Sequence, residues 1–433
     1  MSGLLSLCHD CAVLKEGYSV DRRLAELEDR VKALVADTEG EAVRSRASLQ
    51  QVADAALLET GFTGIYWSTS GGSTGLPANF PCAQYENKLM RALVARMLVM
   101  LEVVEKTDIV MSVFSSSNLY RSMEIFQDFF ESIGATYLPV GGNGETHVKR
   151  SAFSKFQPNV VCGAASSLVN LGHDLITHAK ESGGGEGSLP KMRKLMHGGE
   201  AVTKSMQECI DTAFSPTLVY SFFGSAETGV WAVHLPSCPP GVYLYDRRLV
   251  HLEFMKGDGS MCEEGEEGGD LIVTNLLRYR FPVVRYHSGD KGRAEKVKSE
   301  WLPPSFPQLE AKHLSAFLFE GRNGQSIAMG PLFFTVDFLI DKVEKGAALN
   351  GVKVLRVQFV ATDNTCVVRI VFDDVGDGVD AATVVDAAVT HIQAELTSLL
   401  ARAPHASFSV KSCSLADLTS SISSQKIPVL VRM

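Results

Sequence analysis

Hydrophobic and polar positions divide the chain into three textures. Over residues 1–60, apolar side chains at Leu24, Leu27, Val31, Leu34 and Val35 recur at helical spacing with charged residues between them, so a helical lead-in is predicted. A short β-like run at 62–67 follows and stops at a Ser/Thr/Gly stretch. Beyond it, Leu89, Leu93, Met97, Leu101 and Val104 make one stripe of a long helix. The middle of the chain alternates: 108–114 reads as a strand, 119–133 as a helix, 136–140 and 159–162 as strands. Alternation at this spacing predicts α/β layers around a largely parallel sheet. The run Glu-Ser-Gly-Gly-Gly-Glu-Gly at 181–187 reads as a surface loop.

From about residue 240 the texture changes to short strands joined by acidic, Gly-rich turns, which predicts a β-rich subdomain, with a distorted barrel as one form. After Gly321 a third region begins, with alternating strands at 354–360 and 365–372, a helix at 381–401 and a serine-rich tail ending Gln425-Lys426-Ile427. No internal repeat or low-complexity tract interrupts the chain.

Composition narrows the possible partners. The 433 residues are 45% hydrophobic and 21% charged, which are globular values and suggest more than one domain. A formal charge of −9 repels phosphate backbones, so nucleic acid is not an expected partner. The most apolar stretch, 89–104, is broken by Arg91, Arg96 and Glu102, and no membrane span is expected. The N-terminal residues lack the cationic start and long apolar run of a signal peptide, and nine cysteines is an odd count for a disulfide scaffold, so a reduced, cytoplasmic setting is expected. Cys8-His9-Asp10-Cys11 has metal-ligand or redox spacing but no second pair.

Four segments carry candidate chemistry. The loop Thr69-Ser70-Gly71-Gly72-Ser73-Thr74-Gly75, with Ser68 before it, lies between a β run and a helix. Glycines let backbone N–H groups approach an anion, and the hydroxyls add donors for phosphate oxygens. No Gly-Lys-Ser/Thr closes the loop, so it is not a Walker A sequence. The second segment, Ser221-Phe222-Phe223-Gly224-Ser225-Ala226-Glu227-Thr228-Gly229, feeds a turn bearing one carboxylate, suited to a Mg²⁺ that rides on substrate phosphates. The third, Arg285-Tyr286-His287-Ser288-Gly289-Asp290, places a carboxylate that can accept both hydroxyls of a ribose. The fourth is Lys426, whose charge could meet a developing oxyanion or phosphate. Singly, each is also ordinary turn or tail chemistry.

In this order the segments resemble the adenylate-forming superfamily of acyl-CoA synthetases, peptide-synthetase adenylation domains and luciferases, and within it the phenylacetate-CoA ligase-like branch. Residues 69–77 match its T-S-G-x-T-G-x-P loop, 223–227 its Y-G-x-T-E, 285–290 its R-Y-R-T-G-D, Gly321-Arg322 its hinge and 425–427 its terminal G-K-I/V. The chain departs from the pattern at Phe223, Ala226, His287, Ser288 and Gly324. Ala226 lacks a hydroxyl that Ser225 could replace.

The resemblance implies a fold of α/β class. A large N-terminal domain of layered α/β subdomains would span 1–320, with the β-rich subdomain at about 240–320. A small mobile α+β lid would span 321–433, hinged near 321–324. It implies ATP, Mg²⁺ and coenzyme A as cofactors and a small carboxylic acid as substrate. Residues 69–75 would hold the β- and γ-phosphates, Glu227 the Mg²⁺, and Asp290 the ribose with Arg322 nearby. Gly198, Gly199, Glu200, Ser221 and Phe222 would frame the adenine beside Phe223, Gly224, Ser225 and Ala226. Lys426 would join the acyl carboxylate to the α-phosphate. The acyl pocket is placed at Phe114, Asn118, Tyr120, His197, Phe223, Gly224, Gly229 and Trp231, where aromatic walls suit an aryl acid. Asn118 or His197 could meet a ring substituent. Lys149, Arg150 and Lys155 are candidates for the CoA phosphate. Cys238 and Cys262 stand alone, and no zinc is expected there.

Three readings stay open on sequence. The first is an AMP-forming aryl-acid:CoA ligase. The second is an acyl-AMP ligase that passes its acyl group to a carrier protein or an amine. The third is a degenerate adenylate-binding protein. A homodimer is also left open.

Overall fold

The computed structural model describes residues 42–69, 79–117, 119–142, 144–183, 186–200, 202, 204–263, 266–322, 326–329, 332–362, 365–373, 381–400, 406–419 and 430–432. The lead-in stripe from Leu24 to Val35 and the Cys8–Cys11 pair lie outside them.

An eleven-stranded sheet organises the larger part. From one edge to the other its strands are Val250–Met255, Gly269–Asn275, Tyr286–Glu295, Leu314–Arg322, Val242–Asp246, Gly229–His234, Leu218–Ser225, Lys194–Gly198, Val160–Gly163, Ile109–Ser112 and Thr136–Pro139. The last five run parallel and the others pair antiparallel. In the parallel half both faces are covered, and side-chain alternation sorts them. Val110, Val160, Cys162 and Met196 pack with the helices Gln84–Met100 and Ser122–Ile133. Met111, Val161 and Leu195 pack with Ala165–Glu181 and Lys204–Phe214.

The alternating elements fall where the pattern put them, with shifted ends. The helix expected from 119 begins at Ser122, because Leu119 holds φ of 65°, a conformation that cannot continue a helix, and Tyr120–Arg121 pairs with Ser116–Ser117 instead. The 62–67 run is displaced to Ile65–Thr69, paired with Asn79–Ala83. The strands after residue 240 do not close a barrel of their own. They continue the parallel strands through the hairpin of Leu218–Ser225 and Gly229–His234, so one sheet runs through both textures.

The C-terminal residues build a second core, with the sheet order Ser407–Ser412, Thr365–Phe372, Val354–Ala361, Leu430–Arg432 covered by the helices Val336–Leu349 and Ala381–Ser398. Its outer face rests on the larger part: Leu355, Val371 and Leu418 pack with Met206 and Ile210, and Lys353 Nζ lies 3.3 Å from Glu208. No helix among the described residues is long and apolar enough to cross a membrane.

A polar staple ties the antiparallel strands to the helix Gln84–Met100. Glu310 accepts from Arg96 at 2.7 and 3.1 Å and from Arg248 at 2.8 Å. Burial pushes the Glu310 carboxyl up, but the two guanidiniums overcome it and hold the group at about 2. A carboxyl held below its unfolded value stabilises the fold above that value and loses the contribution as pH falls. Acid unfolding between about pH 4.5 and pH 2 is therefore expected to be shallower in Glu310→Gln than in the wild type, read as stability against pH by denaturant titration.

Candidate active site

The hairpin turn 226–228 is fixed by side-chain bonds. Ser225 Oγ accepts from the Thr228 amide at 3.1 Å and lies 3.0 Å from Thr228 Oγ1. Trp231 Nε1 donates to Thr228 Oγ1 at 3.1 Å, and Asn275 Nδ2 donates to the Thr228 carbonyl at 2.8 Å. Held this way, Glu227 is 3% exposed. Its Oε1 accepts from Arg46 (Nε at 2.9 Å, the second nitrogen at 2.8 Å) and from the Tyr286 hydroxyl at 3.2 Å. Ala226 packs with Leu49, Phe80, Val283 and Tyr286. The Ser225 hydroxyl is thus engaged inside the turn, bonded to Thr228.

Asp290 stands four residues beyond Tyr286 on one strand and opposite Arg322 on the next. Arg322 Nε donates to Asp290 Oδ1 at 2.8 Å, while Asp290 itself is 6% exposed. Burial raises the Asp290 carboxyl above its ordinary value and the Arg322 charge opposes this. Asp290 raises the Arg322 pKa in turn, against burial, and Glu227 adds to the effect. The two carboxylates, Tyr286 and two arginines therefore form one electrostatic neighbourhood.

The segment before the first described helix lines this neighbourhood. Arg44 N donates to the Arg285 carbonyl at 2.8 Å, and His287 N donates to the Arg44 carbonyl at 3.0 Å, so the chain at 44 adds alongside the strand Tyr286–Glu295. His287 pairs with Asp270 at 2.9 Å. Ser288 Oγ donates to the Leu271 carbonyl at 2.9 Å.

Other expected site residues are placed as follows. Ser70 to Gly75, Asn118, Gly324 and Lys426 lie outside the described residues, and Thr69 ends the strand Ile65–Thr69. Gly198 ends its strand; Gly199 follows with φ of 79°. Glu200 accepts from Ser166 N at 2.7 Å and Ser166 Oγ at 2.9 Å, satisfying a free amide at the start of the helix Ala165–Glu181. Arg356 of the C-terminal sheet lies 4.0 Å from the same carboxylate. Phe222 is 4% exposed and meets Phe126 edge-on at 4.9 Å. Lys149 donates to the Gly142 carbonyl at 2.6 Å and Arg150 faces Asp174 at 3.5 Å, so these two cations already have partners.

The acyl-pocket set divides. Phe223 centres an aromatic wall, with ring centroids 5.3 Å from Trp231, 5.1 Å from Phe317 and 5.4 Å from both Tyr243 and Phe319. Phe114 instead stacks on Phe126 at 4.1 Å inside the core, and Trp231 is wholly buried. Tyr120 is buried beside Arg121. Arg46, Tyr243 and Phe319 were not picked out from sequence, and Thr228 was quoted there only within its motif. Tyr286 was quoted there only as part of its motif.

No protein-family profile matches the chain. A phenylacetate-coenzyme A ligase of Escherichia coli (strain K12) is 27% identical over 166 residues, 38% of this chain and 36% of that protein, so the match spans well under half of the relative's length. Among solved structures, a 2-hydroxyisobutyryl-CoA ligase in the post-adenylation state with 2-HIB-AMP superposes with a TM-score of 0.65 at 14% identity, covering 99% of this chain and 88% of that one. ATP-bound MatB from Rhodopseudomonas palustris gives 0.52 at 14% identity, over 84% and 66%. The fold is that of these adenylate-forming ligases. The sequence likeness is to a phenylacetate-coenzyme A ligase, in keeping with the branch that the motifs resemble.

Proposed function

We propose that this protein activates a small aromatic carboxylic acid with ATP and transfers the acyl group to coenzyme A. The observation that carries the reading is the convergence of Glu227 and Asp290 on one electrostatic neighbourhood, with Arg322 bonded to Asp290. These are the carboxylates that the resemblance assigns to Mg²⁺ and ribose.

A carboxylate oxygen of the acid would attack the α-phosphorus of ATP. The P–O bond to the β-phosphate breaks, giving acyl-AMP and pyrophosphate. The CoA thiolate would then attack the acyl carbon, and AMP leaves. The first step needs alignment and charge neutralisation more than covalent help from the protein. The residues present fit a magnesium ion: among the described residues the bonds to Glu227 fall on Oε1, which would leave Oε2 for a cation held jointly with phosphate oxygens. When bound, Mg²⁺ supplies charge neutralisation at the phosphates. Asp290 would exchange its bond to Arg322 for the ribose hydroxyls, and residues 69–75 would cradle the polyphosphate. Lys426, on a lid formed by 321–433 and hinged near 321–324, would meet the carboxylate and the α-phosphate. Residues 1–320 would form the body of the site.

The test is carboxylate-dependent ATP–pyrophosphate exchange over benzoate, hydroxybenzoates, aminobenzoates, phenylacetate, cinnamates and medium-chain fatty acids. Exchange with an aryl acid, lost in Lys426→Ala, is expected. Thioester formation with CoA then identifies the acceptor, and turnover only with a carrier protein or an amine would replace CoA in the reading. ATP binding without exchange for any acid would overturn adenylation.

A further inference from the structure

On one face of the sheet, adjacent strands carry polar side chains in register. His197 stands beside Ser221, and Ser221 beside His234. Tyr243 closes the row, its hydroxyl 3.0 Å from Ser221 Oγ and its ring 5.9 Å from the His234 imidazole. Phe223, two residues after Ser221 and so on the same face, places the aromatic wall against the row.

Polar atoms enclosed by such a wall are satisfied by one another, by ordered water or by a ligand, and a ligand group that replaces the water has to match their donors and acceptors. His234 Nδ1 lies 2.8 Å from the Val242 carbonyl, which can only accept, so Nδ1 carries the proton and the neutral ring offers Nε2 as an acceptor. Ser221 and Tyr243 share one hydrogen bond, which leaves one of their two hydroxyl protons to donate elsewhere. His197 Nδ1 is shut off from solvent and has no hydrogen-bond partner among the described residues. Burial, then the neighbouring His234, lowers the His197 pKa to about 4, so at neutral pH this ring has one donor and one acceptor nitrogen. The row therefore presents spare donors and spare acceptors together. A carboxylate or ether oxygen would leave the acceptors unmet, and an ammonium the donors. A hydroxyl meets both.

We infer that His197, with the Ser221–Tyr243 pair and His234, reads a hydroxyl on the ring of the acyl group, so the substrate class is a hydroxyaryl acid. This rests on the adenylation reading and sharpens it. His197, Ser221 and Tyr243 are specificity-determining residues in this assignment, and the aromatic wall accepts the ring.

The test compares benzoate, its three monohydroxy isomers and the aminobenzoates. Exchange kinetics and direct calorimetric titration are run on the wild type, His197→Phe, His197→Gln and Tyr243→Phe. One hydroxybenzoate is expected to exceed benzoate by about tenfold or more in kcat/KM, on the scale of one well-made hydrogen bond. That ratio should collapse in His197→Phe, recover in part in His197→Gln and fall in Tyr243→Phe. Equal use of benzoate and every hydroxybenzoate, or a ratio unchanged in all three variants, overturns the inference. A preference for an aminobenzoate overturns the hydroxyl assignment. If no acid supports exchange, adenylation fails, and calorimetry still decides the row: selective hydroxybenzoate binding lost in His197→Phe upholds it, and its absence refutes it. Circular dichroism identifies any variant that fails to fold, and Tyr243→Phe removes one oxygen with the ring kept.

Discussion

Gly224→Ala is expected to leave little folded protein. An alanine Cβ at this position would lie 2.2 Å from the Gly229 carbonyl oxygen and 2.6 Å from the Val230 Cα. Both are backbone atoms of the partner strand, so no side-chain rotation relieves the clash. The strands would have to part at the hairpin that presents Glu227 and that joins the two halves of the sheet. Overpacking in a well-packed site costs about 1–3 kcal/mol, and more where backbone must move. Gly229→Ala is the control. Its Cβ meets only the tip of Met90, at 2.9 Å, and the cost comes chiefly from φ of 77°, about 1–2 kcal/mol. Soluble yield and urea midpoints distinguish the two, and a Gly224→Ala protein as stable as the wild type would contradict the close approach of these strands.

Asp290→Ala is expected to weaken ATP binding by about 10²–10⁴-fold, since two hydrogen bonds to a charged acceptor contribute about 1.5–3 kcal/mol each and about 1.4 kcal/mol is a factor of ten. The fold should be spared. Burial already disfavours the Asp290 charge, and Arg322, whose side chain is 44% exposed, can return to water when its partner is removed. Arg322→Ala should weaken ATP binding far less. Calorimetric titration with ATP, alongside melting curves, checks both parts. An Asp290→Ala protein that binds ATP within a few fold of the wild type would remove this carboxylate from the nucleotide site.

The sequence was most legible where periodicity is local. The parallel half alternates strands and helices, and residues such as Val110 and Met111 or Val160 and Val161 need only neighbours on opposite faces to be placed. The strands after residue 240 were visible as strands, but their joining of the same sheet depends on register between distant segments such as Val242–Asp246 with Leu314–Arg322. The motifs put Glu227, Asp290 and Arg322 in view because each sits in a short turn or strand-end signature. Arg46 was hidden: it lies 181 residues from Glu227, on a helix with nothing in its spacing to distinguish it from a solvated arginine. Aromatic content suggested a pocket, yet cannot say which face a ring takes, and Phe114 went to the core while Tyr243 came to the row.

The bond between Arg46 and Glu227 bears on the order in which reactants arrive. If Glu227 holds a metal ion, a divalent ion approaching alone would meet a carboxylate already neutralised by a guanidinium, so the attraction of a lone buried anion would be cancelled. An ion already bound to polyphosphate would arrive with the negative charge of the phosphates, which could take over the Arg46 guanidinium while the metal takes the carboxylate. The metal would then enter as part of the nucleotide and not ahead of it, and the N-terminal segment would act as a filter against the bare ion.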